Sequence, residues 1–485
     1  MKILITASEC APFIKVGGLA DVVGTLPPYL KEDGHDVKIF IPKYQKIDEN
    51  KFHLKKLAYK LQIPIGEKYE IAKVMTAVSP NGTDCYFIEN DKYFGRPEVY
   101  GPSGEDYPDN RERFIFFSRS VLEASKAIGF QPDIVHCHDW QTGLIPAYLK
   151  TLYSIDGFYC NTATVFTIHN IAYQGLFKSD TINIAGFSWK DFVWDKLEYF
   201  GKINFLKIGL VYADMLSTVS PTYAKEILYE ESGRGMEKTL RHRTNDLEGI
   251  LNGIDYKEWN PSNDKLIVSN FSKDNREGKK KCKIDLQKVF NLKEKEGALL
   301  IGAVSRLDPQ KGYNLIKKVL PKFVNNDVQF IFLGKGDKNI EKSLNNLARK
   351  YPSKIGVRFE FNNLLAHKIY AGSDAFIMPS LFEPCGLGQM IALAYGTIPI
   401  VNRTGGLFDT VKNFSEKTME GNGFSFHPPE KENLLKTFKN VLKTYHNKKM
   451  WEKLIINALN SNFSWDKSAR RYEEMYRKAV QKKKN

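Results

Sequence analysis

The chain has 485 residues, 42% of them hydrophobic, 26% charged and 13% aromatic, with a formal net charge of +15 at pH 7. That length exceeds one ordinary core, so two domains are expected, and the composition is that of a globular protein. No apolar run approaches the ~20 residues that span a bilayer, and no recognised nucleic-acid module accompanies the charge, so neither membrane nor nucleic acid is an expected partner.

The six cysteines, Cys10, Cys85, Cys137, Cys160, Cys282 and Cys385, show no C-x-x-C pairing. Reduced thiols in a cytoplasmic compartment are expected, or a plastid stroma if a transit peptide has been removed. Only a few apolar residues lie between Lys2 and Glu9, too few for a secretory segment. The lysine clusters Lys279-Lys-Lys281 with Lys283, and Lys482-Lys-Lys484, read as solvated surface charge.

Strand-like runs alternate with helical segments along the whole chain, the mark of parallel βαβ units. In the first half strands are expected at 2–8, 37–42, 84–89, 133–138, 164–168 and 215–219, with helices at 19–33, 110–128, 141–153 and 221–230. The second half repeats the scheme, with strands at 298–304, 328–333, 356–361, 374–379 and 397–401 and helices near 312–325, 339–350, 365–371, 387–395 and 406–412. Residues 256–295, rich in Asn, Lys and Asp, read as the crossing between the halves. The end of the chain places Trp465, Ala469, Tyr472, Met475, Tyr476 and Ala479 at helical spacing, an apolar stripe that must dock.

Two distant segments echo each other. Lys15-Val-Gly-Gly-Leu-Ala-Asp21 follows the first strand, and Arg403-Thr-Gly-Gly-Leu-Phe-Asp409 follows the strand at 397–401. Each reads as strand, cation, glycine pair and helix start, which is an anion cradle; a tight strand-to-helix turn is the alternative. Ligands of open α/β sheets sit beyond the carboxyl ends of the strands. There the chain also places His136-Cys-His138-Asp139-Trp140, His169-Asn170, Arg306 with Lys311, and Glu383-Pro-Cys-Gly386. Arg306 and Lys311 suit an anion, one as a fork and one as a point charge. Glu383 suits sugar hydroxyls or a developing positive charge, with a helix-start acid as the alternative. His136, His138 and Asp139 lack the further ligands of a closed metal site, so no metal is expected.

These motifs, with Thr167-Ile-His-Asn-Ile-Ala-Tyr-Gln-Gly175, Ile250-Leu-Asn-Gly-Ile-Asp255 and Pro379-Ser-Leu-Phe-Glu-Pro-Cys-Gly-Leu387, resemble those of glycogen and starch synthases nearly end to end. The resemblance implies the α/β GT-B fold, in which two Rossmann-like, doubly wound domains face across a cleft. Here they would be 1–255, completed by a returning C-terminal helix at 463–485, and 256–462. It implies retaining transfer of glucose from ADP-glucose to the non-reducing end of an α-1,4-glucan, with no metal or other cofactor. Carried over by position, Arg306, Lys311, Glu383, Asp139 and His169 form the catalytic set. The nucleotide sugar falls to Lys15, Gly18, Asp21, Asn252, Phe361, Cys385, Gly386, Leu387 and Gly388 together with the two cations, and the acceptor to Trp140 and Tyr173. Two departures stand out: Phe361 where relatives often have Tyr against adenine, and Gly388 where a side chain such as Thr is common. Another retaining GT-B transferase, one using UDP-glucose or making a disaccharide, a phosphorylase-like enzyme and a non-catalytic sugar-binding protein are the alternatives.

Overall fold

In the computed structural model, which describes residues 1–102 and 105–484, the chain forms two compact units. Unit 1 comprises Met1–Leu251 with the C-terminal helix that starts at Trp465, and unit 2 comprises Asn252–Ser464. Asn485, the last residue of the expected C-terminal segment, lies outside the described residues.

The strands of unit 1 are β1 (Lys2–Thr6), β2 (Asp36–Pro42), β3 (Lys55–Ile65), β4 (Lys68–Val78), β5 (Asp84–Glu89), β6 (Ile134–His138), β7 (Ala163–Ile168), β8 (Leu176–Lys178), β9 (Glu198–Tyr199), β10 (Lys202–Asn204), β11 (Met215–Thr218) and β12 (Leu247–Gly249). Nine of them form one sheet in the order β12-β11-β7-β6-β1-β2-β5-β4-β3. Its centre is parallel and buried, so β1, β6 and β7 read as apolar runs. The antiparallel pair β3 and β4 was not expected, and neither was the small sheet β8-β10-β9. β3 is a lysine-rich edge strand with most side chains exposed, so it lacks the continuous apolar signal of a buried strand.

Unit 2 is a six-stranded parallel sheet. Its strands are β13 (Leu299–Val304), β14 (Val328–Leu333), β15 (Ile355–Arg358), β16 (Ala375–Met378), β17 (Ile398–Asn402) and β18 (Phe424–Phe426), in the order β15-β14-β13-β16-β17-β18. The expected strand 356–361 stops at Arg358, because Asn362 caps the next helix by accepting from the Leu365 N–H. That leaves Phe359 packed against the core and Phe361 in a loop, 74% exposed.

The stretch 256–295 is part of unit 2 and not a linker: its helix Glu277–Val289 packs on the helix Asn363–Gly372. Two of its lysines are therefore not solvated. Lys279 Nζ donates to the carbonyls of Ala371 and Tyr395 at 3.0 Å and to Thr397 Oγ1 at 2.7 Å, and burial pushes its pKa down to about 7. Lys283 Nζ pairs with Asp374 at 2.6 Å and donates to the Ala298 carbonyl. A buried ammonium is tolerable only when saturated in this way.

The C-terminal helix Trp465–Lys484 buries the whole expected stripe of Trp465, Ala469, Tyr472, Met475, Tyr476 and Ala479. Burying each large apolar side chain stabilises by roughly 1.5–3 kcal/mol. Tyr476 adds a polar tie, 2.8 Å from its hydroxyl to His136 Nδ1 in the middle of β6.

Candidate active site

In unit 1 the candidate residues stand at the carboxyl ends of three adjacent strands, β1, β6 and β7. Asp139 follows β6 with φ 56° and ψ 179°, a conformation that a non-glycine residue adopts at a cost of about 1–3 kcal/mol. Its carboxylate accepts the His169 N–H at 2.7 Å and also the Asn170 N–H. Burial nevertheless raises its pKa to about 7, opposed by those two N–H groups and assisted by the charge of Glu9. His169 Nε2 lies 2.9 Å from His138 Nδ1, and desolvation lowers the pKa of both rings. Two neutral imidazoles thus share one proton between their facing nitrogens.

His136 has both ring nitrogens engaged, Nδ1 with Tyr476 and Nε2 with Thr167 Oγ1 at 2.6 Å. It is a buried structural link between the C-terminal helix and the sheet. Among the described residues no group of three or more His, Cys, Asp or Glu converges as a metal site would require.

The two Gly-Gly segments differ. In the first, Lys15 Nζ lies 2.6 Å from Asp21, the N–H groups of Val16 and Gly17 point at Glu9, and a Cβ on Gly17 would meet nothing within 4 Å among the described residues. Gly18 opens the helix Gly18–Glu32, whose first turn carries Asp21. In the second, a Cβ on Gly405 would lie 2.0 Å from the Glu383 carbonyl oxygen, and one on Gly406 2.2 Å from that of Cys385. The Gly406 N–H is spent on the Glu383 and Pro384 carbonyls at 3.2 Å. The second pair therefore serves close packing of two loops, the turn reading, rather than a second open cradle.

That packing seats Glu383. It follows β16, is 6% exposed, and accepts from Lys311 Nζ at 2.5 Å and from Ser380 Oγ at 2.9 Å. Lys311 ends a short turn after β13, where the glycine at 312 (φ 74°) is mandatory because a Cβ there would strike the Pro379 carbonyl at 2.0 Å. Arg306, also beyond β13, is exposed. Ser305, Lys311, Tyr313, Met378 and Ser380 line a recess at this point. Arg306 and Lys311 thus stand beyond β13, and Glu383 to Gly388 beyond the neighbouring β16.

Cys385 is a buried thiol, its pKa pushed up to about 12 by burial, and it is contacted by both the backbone and the side chain of Asn252. Asn252 is itself 5% exposed, and its Oδ1 has no hydrogen-bond partner among the described residues. Gly386 has φ 73° with the Gln389 amide against it, and Leu387 caps the helix Gly388–Ala394. A Cβ on Gly388 would come within 3.1 Å of the Phe376 ring, a tight contact.

The acceptor pair separates. Tyr173 is 48% exposed, whereas Trp140 is 6% exposed and packed against Phe114, Phe177 and Phe205. A Cβ on Gly175 would sit 2.4 Å from the Trp140 ring, so the loop after His169 is built on the indole. Glu9 was missed altogether; a lone acid just past the first strand was its only trace.

Residues 2–242 match a family described as the starch synthase catalytic domain, and residues 286–460 match glycosyl transferases group 1. The chain is 45% identical to a glycogen synthase of Pseudothermotoga lettingae, with all of both chains covered. It is 46% identical to one of Elusimicrobium minutum, over 99% of this chain and all of the relative. Among solved structures it resembles the catalytic domain of starch synthase IV from Arabidopsis thaliana bound to ADP and acarbose, at 33% identity and a TM-score of 0.92 over 99% of each chain. A sucrose-phosphate synthase from Thermosynechococcus elongatus, at 16% identity and a TM-score of 0.62 over 99% of each chain, shares the fold.

Proposed function

The chain belongs to the glycogen and starch synthase family, and from that premise we propose that it transfers glucose from ADP-glucose to the non-reducing end of an α-1,4-glucan with retention of configuration. The observation that carries this reading is the Lys311–Glu383–Ser380 cluster beyond β13 and β16, where a cation and a carboxylate needed for glucosyl transfer are already held together. One ammonium has three N–H groups, so Lys311 keeps donors for diphosphate oxygens while bonded to Glu383.

As the bond from C1 to the phosphate oxygen lengthens, negative charge grows on the diphosphate and positive charge on the sugar ring. Arg306 and Lys311 stabilise the first. Glu383 and the groups around His169 and Asp139 bear on the second. The acceptor hydroxyl forms the new bond to C1 on the same face, its proton passes to the departing phosphate oxygen, and ADP leaves. Positive side chains supply what a metal would otherwise bring, so the reaction is proposed to need no metal. The unpaired cysteines fit a reducing, cytoplasmic setting.

The test is incorporation of labelled glucose into glycogen from ADP-glucose and UDP-glucose side by side. ADP-glucose should be preferred, and excess EDTA should leave the rate unchanged. Preference for UDP-glucose overturns the donor, a free disaccharide product overturns the acceptor, and rescue by Mg²⁺ after EDTA overturns metal independence.

Donor choice is proposed to run through Phe361. Its exposed ring is not a core residue, and an adenine face offers more stacking contact than uracil. Phe361→Ala should raise the Michaelis constant for ADP-glucose more than that for UDP-glucose. Equal rises for both would remove Phe361 from donor recognition.

A further inference from the structure

Just past β1, Glu9 is 3% exposed, yet its carboxylate accepts hydrogen bonds from three donors. Oε2 accepts the N–H of Val16 and, at 3.0 Å, that of Gly17. Oε1 accepts from the Tyr100 hydroxyl, which in turn lies 2.8 Å from Ser8 Oγ. A buried carboxylate is costly unless hydrogen bonds replace its water, and two of the three here come from the turn that carries Lys15 and leads into the helix Gly18–Glu32. Further down, the same loop is closed by the paired Cys10 and Ile14 backbones and by the Ala11 N–H on the Ala20 carbonyl at 3.0 Å.

At its tip, Val16 is 45% exposed and the Lys15 side chain 53% exposed. While Asp21 holds the Lys15 ammonium at 2.6 Å, Glu9 ties the backbone of that exposed tip to the interior. Its negative charge also occupies two N–H groups of the expected cradle. An incoming phosphate is left with Lys15 and the first turn of the helix.

We propose that Glu9 is a positioning residue for glucosyl transfer: by holding the Val16 and Gly17 N–H groups it fixes the turn that presents Lys15 and the start of the helix Gly18–Glu32 to the donor's diphosphate. This rests on the functional reading above. Glu9 touches no substrate in this account; it acts through Lys15.

The test uses the full chain and steady-state kinetics with ADP-glucose and glycogen. Wild-type transfer is the control; its absence would fail the functional reading itself and not the role of Glu9. In an active protein, Glu9→Ala should lower kcat/KM for ADP-glucose at least about tenfold and leave the KM for glycogen unchanged. Glu9→Gln should recover most of that loss, because one amide oxygen still accepts both N–H groups and the amide nitrogen can meet Tyr100. In a Lys15→Ala background, Glu9→Ala should add little, since residues acting as one unit are not additive.

Full additivity with Lys15→Ala, or a loss shared equally by donor and glycogen that Gln does not rescue, would overturn the proposal. Should Glu9→Ala not fold, Tyr100→Phe carries the same test. It removes one donor to the carboxylate, and a donor-specific loss of about threefold, the scale of one hydrogen bond, supports the proposal; no loss overturns it.

Discussion

Arg306→Ala is expected to lower kcat by at least about a hundredfold while leaving the melting temperature close to that of the parent. Arg306 is exposed beyond β13, and exposed substitutions usually change stability little. The loss of rate comes from the transition state, where the diphosphate gathers charge and a preorganised donor worth about 10²–10³ in rate is gone. A change confined to the transition state lowers kcat and kcat/KM together. Lys311→Ala makes the contrast. Its partner Glu383 is buried, and stripping one member from a buried pair costs about 3–5 kcal/mol, so that variant should lose turnover and stability at once. Near-normal turnover in purified, folded Arg306→Ala would remove the diphosphate role from this position.

Those two cations illustrate what the sequence discloses and what it hides. Their place after a strand and before a helix was legible, because buried parallel strands leave continuous apolar runs whose carboxyl ends are where ligands collect. The stripe from Trp465 to Ala479 was legible for the same kind of reason: a 3.6-residue period survives in the sequence, whatever it docks against.

Pairing across long separations was not. Lys311 and Glu383 were both singled out, yet nothing in the spacing indicates that they touch. Lys279 looked solvated because a run of lysines carries no mark of the carbonyls that receive it, and those carbonyls come from residues about a hundred positions away. The echoed Gly-Gly segments looked equivalent because sequence records the freedom of glycine and not its use. At 17 the space beside it is open, and at 405 and 406 it is filled by backbone. Trp140 shows the same limit: the sequence marks an aromatic beside Asp139 but not the three phenylalanines its ring packs against.

Glu383→Gln is expected to reduce turnover on the order of 10²–10³-fold, the range for one preorganised electrostatic group, with ADP binding retained. The substitution is close to isosteric, and the amide oxygen can still accept from Lys311 Nζ and Ser380 Oγ, the two partners that now hold the carboxylate. Position and packing are therefore kept while the charge is removed. If the carboxylate acts on positive charge that exists only as C1 parts from the phosphate, its loss is felt in the transition state and not in the ground state. Calorimetry with ADP separates the two cases. Because Lys311 loses its anionic partner in Glu383→Gln, its charge is less compensated, and the affinity for ADP should hold or rise. Lost ADP affinity, with turnover preserved at saturating donor, would instead make Glu383 a ground-state binding group.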